Sequence, residues 1–430
     1  VIKLKLDKSK CYLTRAKKLI PGCSQTFSKG PTQFVQGVAP NFVSRAEGCK
    51  IWDIDGNEYI DFTMALAPVI LGYNYPVVND AIISQLRNGI TFTLPHKLEV
   101  ELAELLVDII PCAEMVRYGK NGSDATSGAI RVARAYTGRD KIACCGYHGW
   151  QDWYIGTTTR DKGVPQCVKK LTYTFEYNNI ESLQKIFDEN KNEIAAVIME
   201  PISTIEPENN FLQEVKELAH ENGALLIFDE IVTGFRIALG GAQEYYGVIP
   251  DLACFGKGMA NGMPISAVVG KREIVKEFED VFFSFTFGGE TLSIAAAIAT
   301  IREIRKENIT KHLWKIGELL ISGVNRLIKE YELNNYLEIR GLPPRTVMQF
   351  KDENGEESFE MKSLFQQECI KRGILFTGAH NISFSHTEEI VGRTLEVYDE
   401  CMRILKKAIE NKDIKNRLEG DVVEPVFRKI

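Results

Sequence analysis

The stretch from Ala224 to Ala267 sets the strongest limit on what this chain can fold into. Ala224-Leu225-Leu226-Ile227-Phe228 is a short, almost wholly apolar run that follows the turn signal Asn222-Gly223. Such a run predicts a parallel strand buried on both faces, and so an α/β sheet covered by helices. It stops at Asp229-Glu230. The carboxyl ends of strands in such sheets are where ligands bind, and a carboxylate buried there needs a cationic partner. A second apolar run, Asp251-Leu252-Ala253-Cys254-Phe255, leads into Gly256-Lys257-Gly258. Glycines on both sides leave the backbone free to bend, and burial can hold a lysine amine near neutral, as a nucleophilic lysine requires.

An acid at one strand end and a lysine after the next suggest pyridoxal 5'-phosphate (PLP). That cofactor is held through its aldehyde by a lysine and commonly keeps its ring nitrogen protonated against a carboxylate. Taken alone, Asp229 serves equally as a helix N-cap and Lys257 as a solvated loop lysine. The surrounding sequence adds a resemblance: LIFDEIVTGFR and PDLACFGKGMANGMPISAVVG look like the core of the class III PLP-dependent aminotransferases, nearest to glutamate-1-semialdehyde 2,1-aminomutase. Motifs in that family's order run from about Pro21 to about Glu396. The resemblance implies an α/β, fold type I PLP-dependent transferase, with a large mostly parallel sheet domain and a smaller α+β domain built from both chain ends. The expected segments are an amino-terminal helix and small sheet over 1–65, a PLP-binding domain over 66–300 and a carboxyl-terminal small domain over 301–430.

By the same resemblance Lys257 forms the Schiff base, Asp229 faces the ring nitrogen, Tyr147 stacks on the ring and Ile231 packs on its opposite face. Asn121-Gly122-Ser123-Asp124 opens a helical pattern, and free N–H groups with a hydroxyl at a helix start suit an anion. Gly122 and Ser123 are therefore expected at the phosphate, with Asn121 beside them. Thr286 is expected to reach across a homodimer interface to the other subunit's phosphate, giving shared active sites. His148 reads either as a contact to substrate or cofactor or as a satisfied hydrogen-bonder, and the role of Glu200, at the end of the apolar run Ile194–Met199, stays open. Three departures fall where the family meets substrate. Thr26 and Lys29 replace a serine and an arginine, Leu66 replaces a tryptophan, and HNISFSHTEE lacks a Gln-Phe-Glu-Ala insertion. Lysine lacks the planar fork that binds a carboxylate with two parallel hydrogen bonds. The leading reading is thus a transaminase working between a small-molecule amino donor and an aldehyde or ketone acceptor. The aminomutase comes second, and a PLP racemase or decarboxylase on the same fold third.

The remaining sequence narrows the class. A net charge of −6 argues against nucleic acid or an anionic membrane as partner. No apolar run approaches the roughly 20 residues that span a bilayer. Ten cysteines without metal-type pairing, and no visible secretory leader, read as reduced thiols in a cytoplasm and no metal site. Periodicity predicts helices over 96–110 and 211–220, one long helix from Ile301, and a hairpin at Asp55-Gly56-Asn57. In the carboxyl-terminal part it predicts strands near 336–340, 346–351, 374–376 and 382–384, and helices over 361–372 and 388–409.

Overall fold

The computed structural model describes residues 4–427, so the outermost residues of the first and last expected segments lie outside it. The described residues form two compact units, one of residues 67–69 and 76–310, the other of residues 4–66, 70–75 and 311–427.

The larger unit is built on seven strands: β1 Met115–Gly119, β2 Lys141–Cys145, β3 Thr172–Thr174, β4 Ile194–Met199, β5 Leu225–Asp229, β6 Leu252–Phe255 and β7 Ser266–Gly270. Their order across the sheet is β1-β7-β6-β5-β4-β2-β3. Every pairing is parallel except those of β7, which runs antiparallel to β1 and β6. The central strands β4, β5 and β6 are buried at every position, which is why each reads as unbroken apolar sequence rather than as an alternation. Helix α1, Gly122–Thr137, lays Ala125, Ala129, Ile130, Val132 and Ala133 on this sheet. It ends at Gly138, whose φ of 67° is the left-handed turn that glycine adopts without strain. Helix α2, Phe211–Glu221, carries the chain from β4 back to β5, and buries Phe211, Leu212, Val215, Leu218 and Ala219.

Asp251, just ahead of β6, ties this unit together. Its Oδ2 accepts from Leu226 N at 2.8 Å and meets His220 Nε2 at 2.8 Å, while its Oδ1 meets Lys271 Nζ at 2.6 Å. Burial pushes this carboxyl up, but Lys271, the Leu226 amide and His220 together hold it below its ordinary value of 3.8. A carboxylate with a depressed pKa stabilises the fold fully above its unfolded value, and that contribution is lost as pH falls through the folded one. Asp251→Asn is therefore expected to cost about 2 kcal/mol at neutral pH, discounted for the half-exposed partners, with the gap to wild type closing in acid. Urea unfolding across the acid range checks this, and an equal deficit at every pH would contradict it.

The smaller unit contains a four-stranded sheet of Val43–Glu47, Lys50–Asp53, Glu58–Asp61 and Ile374–Leu375, the last parallel to Glu58–Asp61. Its second sheet, Leu337–Leu342, Arg345–Phe350 and Ala379–Asn381, is antiparallel. Both chain ends thus contribute, as the resemblance implied. Three details differ from expectation. The amino-terminal sheet holds two hairpins, because Gly48, at φ 57°, turns the chain between Val43–Glu47 and Lys50–Asp53. The long helix from Ile301 is two helices, α3 Thr291–Lys306 and then Ile309–Glu330, broken at Asn308 in the left-handed region that asparagine tolerates. The last strand is Ala379–Asn381 rather than 382–384, since its partner strand begins at Arg345 and pairing runs out there. No helix among the described residues is long and apolar enough to cross a membrane.

Candidate active site

In the larger unit a cavity of about 290 Å³ opens where β2, β4, β5 and β6 end, lined by Asp229, Lys257, Gly122, Ser123, Tyr147 and Ile231 among others. Six of the seven expected site residues therefore share one wall system. Thr286 does not: it sits on an exposed segment between Phe282 and Phe287.

Asp229 and Glu230, adjacent in sequence, do different work because β5 ends between them. Asp229 is 4% exposed. Its Oδ2 lies 2.8 Å from His148 Nδ1, and its Oδ1 accepts from Ile231 N at 3.1 Å. The other ring nitrogen of His148 faces the Cys145 carbonyl oxygen at 3.1 Å, so both nitrogens meet acceptors. His148, just past the end of β2, is thus the side chain that meets the buried carboxylate. Glu230 turns away from the cavity, and accepts from Ala242 N at 2.8 Å, Gln243 N at 2.9 Å and the Thr233 hydroxyl. Burial pushes its carboxyl up. An added Cβ at Gly241 would come within 2.6 Å of it, so the Glu230 contacts depend on glycine there. Sequence reading assigned Glu230 no role; its partners lie a dozen residues on, in a loop without a recognisable pattern.

At the start of α1, Asp124 Oδ2 accepts from Lys120 N at 2.9 Å and Asn121 N at 2.7 Å, which fixes the turn. Gly122 and Ser123 occupy the first helical turn, whose N–H groups have no intrahelical acceptor. Ser123 Oγ accepts from Trp150 N at 3.2 Å, which leaves its own hydrogen to donate. The turn is packed against the opposite loops. An added Cβ at Gly122 would stand 3.1 Å from Ile231, and one at Gly149, where φ is 106°, would stand 2.2 Å from Ser123 Oγ. Thr126 Oγ1 donates to the His148 carbonyl at 2.8 Å and joins helix to loop.

Tyr147 is half exposed and meets Tyr154 edge-on, with ring centroids 5.6 Å apart. Burial first, then the charges of Asp229 and Glu200, raise its hydroxyl above the ordinary tyrosine range. Glu200 Oε1 accepts from Tyr147 N at 2.8 Å, so the glutamate that ends β4 holds the backbone of the aromatic residue. Lys257 opens a short 3-10 turn over Lys257–Ala260, after Gly256, where an added Cβ would stand 3.1 Å from Ile231. Of the substrate-side departures, Lys29 and Leu66 line a different, mainly apolar cavity of about 430 Å³ in the smaller unit, and Thr26 is exposed there.

The donor set fits PLP: an ammonium, a buried carboxylate with its own histidine, an aromatic ring, and a helix start with a hydroxyl. Architecture and cavity define a PLP-dependent enzyme of fold type I. The chain belongs to the class III aminotransferase family, whose pattern it matches over residues 34–409. It is 37% identical over 417 residues to the 3-aminobutyryl-CoA aminotransferase of Cloacimonas acidaminovorans (strain Evry), covering 95% of this chain and 99% of that one. It is 36% identical over 431 residues to the glutamate-1-semialdehyde 2,1-aminomutase of Archaeoglobus fulgidus, covering 93% and 100%. Among solved structures it resembles the FumI protein of Sphingopyxis sp. MTA144 in its PLP form, with a TM-score of 0.87, 31% identity, and coverage of 94% and 97%. It is an enzyme that transfers an amino group between a donor and an aldehyde or ketone.

Proposed function

We propose that Lys257 and Asp229 are the catalytic residues of a two-substrate transaminase, and that Gly122, Ser123, Tyr147 and Ile231 hold the cofactor with them. The observation that carries this reading is the convergence of Lys257, the His148-supported Asp229 and the start of α1 on one cavity. Bound there, PLP supplies an electron sink for the charge left when a proton leaves the amine-bearing carbon. Lys257 Nζ would take that proton as general base and release it again as general acid. Asp229, kept in place by His148, keeps a proton on the ring nitrogen. Tyr147 and Ile231, which both line the cavity, would hold the ring between them and keep water from the reacting carbon.

A transaminase is favoured over an aminomutase by Lys29 and Leu66, which stand where relatives hold a carboxylate-binding arginine and a tryptophan. The similarity to an aminotransferase acting on a 3-aminobutyryl thioester also favours it. Adding glutamate to the purified holoenzyme is expected to bleach the visible cofactor band. A band that ignores glutamate and responds only to 4,5-diaminovalerate would turn the assignment to the aminomutase.

The chain works as a homodimer in the cytoplasm on this reading. Exposed Phe282 and Phe287, which flank Thr286 in sequence, and exposed Leu94 and Val100 in the same unit support a surface for a second copy. Ten cysteines without a disulfide support a reducing compartment. Sedimentation showing a fully active monomer would contradict the shared site, and a purified chain with fewer than ten titratable thiols would contradict the compartment.

A further inference from the structure

Of the two lysines that line the cofactor cavity, Lys120 is the one to which neither sequence reasoning nor the proposed chemistry gives a task. It lies in the turn between β1 and α1 and lines the cavity beside Asn121, Gly122 and Ser123. Its Nζ is 3.0 Å from Glu290 Oε2, and the two side chains are only 15% and 13% exposed. An ammonium has three donors, and this ion pair uses one. Glu290 is already engaged as the N-cap of α3: its Oε1 accepts from Leu292 N at 2.6 Å, and its Oε2 from Ser293 Oγ at 2.5 Å. Burial pulls the Glu290 carboxyl up, yet Ser293 and Lys120 hold it below the ordinary glutamate range, so this site carries a full negative charge close to the cavity wall.

The cavity is short of positive charge for its ligand. Among the described residues its only ammonium groups are Lys120 and Lys257, it has no arginine, and Asp229 and Glu200 add negative charge. His148 is committed to Asp229. With Lys257 given to the aldehyde, a phosphate dianion at Gly122 and Ser123 has one ammonium left to balance it and to screen it from Glu290.

We infer that Lys120 is a cofactor-binding residue that supplies the cation for the phosphate group, and that Glu290 holds it at the cavity wall and competes with the phosphate for it. This rests on the placement of PLP proposed above. It predicts opposite signs for the two partners. Removing Lys120 weakens phosphate binding, whereas neutralising Glu290 leaves the ammonium wholly to the phosphate.

The test titrates apoenzyme with PLP and, separately, with pyridoxal, which lacks the phosphate, following tyrosine and tryptophan fluorescence. Lys120→Met is expected to weaken PLP binding about tenfold or more while leaving pyridoxal binding within about twofold, and the loss shrinks in high salt. Glu290→Gln is expected to raise the preference for PLP over pyridoxal, whatever stability helix α3 loses. If Lys120 only ties the turn to Glu290, both substitutions lower thermal stability alike and neither changes the PLP-to-pyridoxal ratio, which overturns the inference. If Lys120→Met does not fold, an unchanged or lower ratio for Glu290→Gln still overturns it, and a rise supports it. A wild-type chain that binds neither compound would defeat the cofactor placement instead.

Discussion

Lys257→Ala is expected to leave a folded chain that has no visible cofactor band and turns over at least about a thousandfold more slowly. The size of the effect follows from the two tasks placed on one amine, holding the cofactor and moving the proton. The mildness of its effect on the fold follows from position. Lys257 is part-exposed at the cavity, whereas its neighbours Gly258, Met259 and Ala260 are buried and untouched by the change. Thermal unfolding of the apo forms should therefore agree closely between variant and wild type. Retained transamination by the variant would remove Lys257 from the mechanism.

The second large effect belongs to Asp229. Asp229→Asn keeps an oxygen that can accept from His148 Nδ1, so the buried contact at 2.8 Å survives in neutral form. What is lost is the negative charge. That charge acts when electron density moves into the ring, so its removal falls on the transition state more than on substrate binding. The expected result is a drop in kcat of about a hundredfold or more with KM nearly unchanged. A rise in KM at unchanged kcat would mean that Asp229 only shapes the cavity.

Much of this was legible in the sequence because the sheet is parallel and buried on both faces. Continuous apolar runs such as Ala224–Phe228 and Ile194–Met199 coincide with the observed strands, and the first ends at Asp229. Lys257 and Asp229 could be singled out because each stands at or just past the end of such a run, whereas Tyr147 was placed by the family resemblance. The partners of those residues were harder to see. His148 lies 81 residues from Asp229, and only the parallel register of β2, β4 and β5 brings their ends together. Glu230 had no role in the sequence because the amides that hold it, of Ala242 and Gln243, lie a dozen residues on. Lys120 reads as an ordinary turn lysine because its partner, Glu290, is 170 residues away. The break at Asn308 escaped because both flanking helices are amphipathic and an asparagine between them carries no strong stop signal.

The most direct measurement reduces the purified holoenzyme with borohydride and maps the modified lysine by peptide mass spectrometry. A single phosphopyridoxyl group on Lys257 is the predicted result. Label on Lys120, or on no lysine of the cavity, would contradict the account.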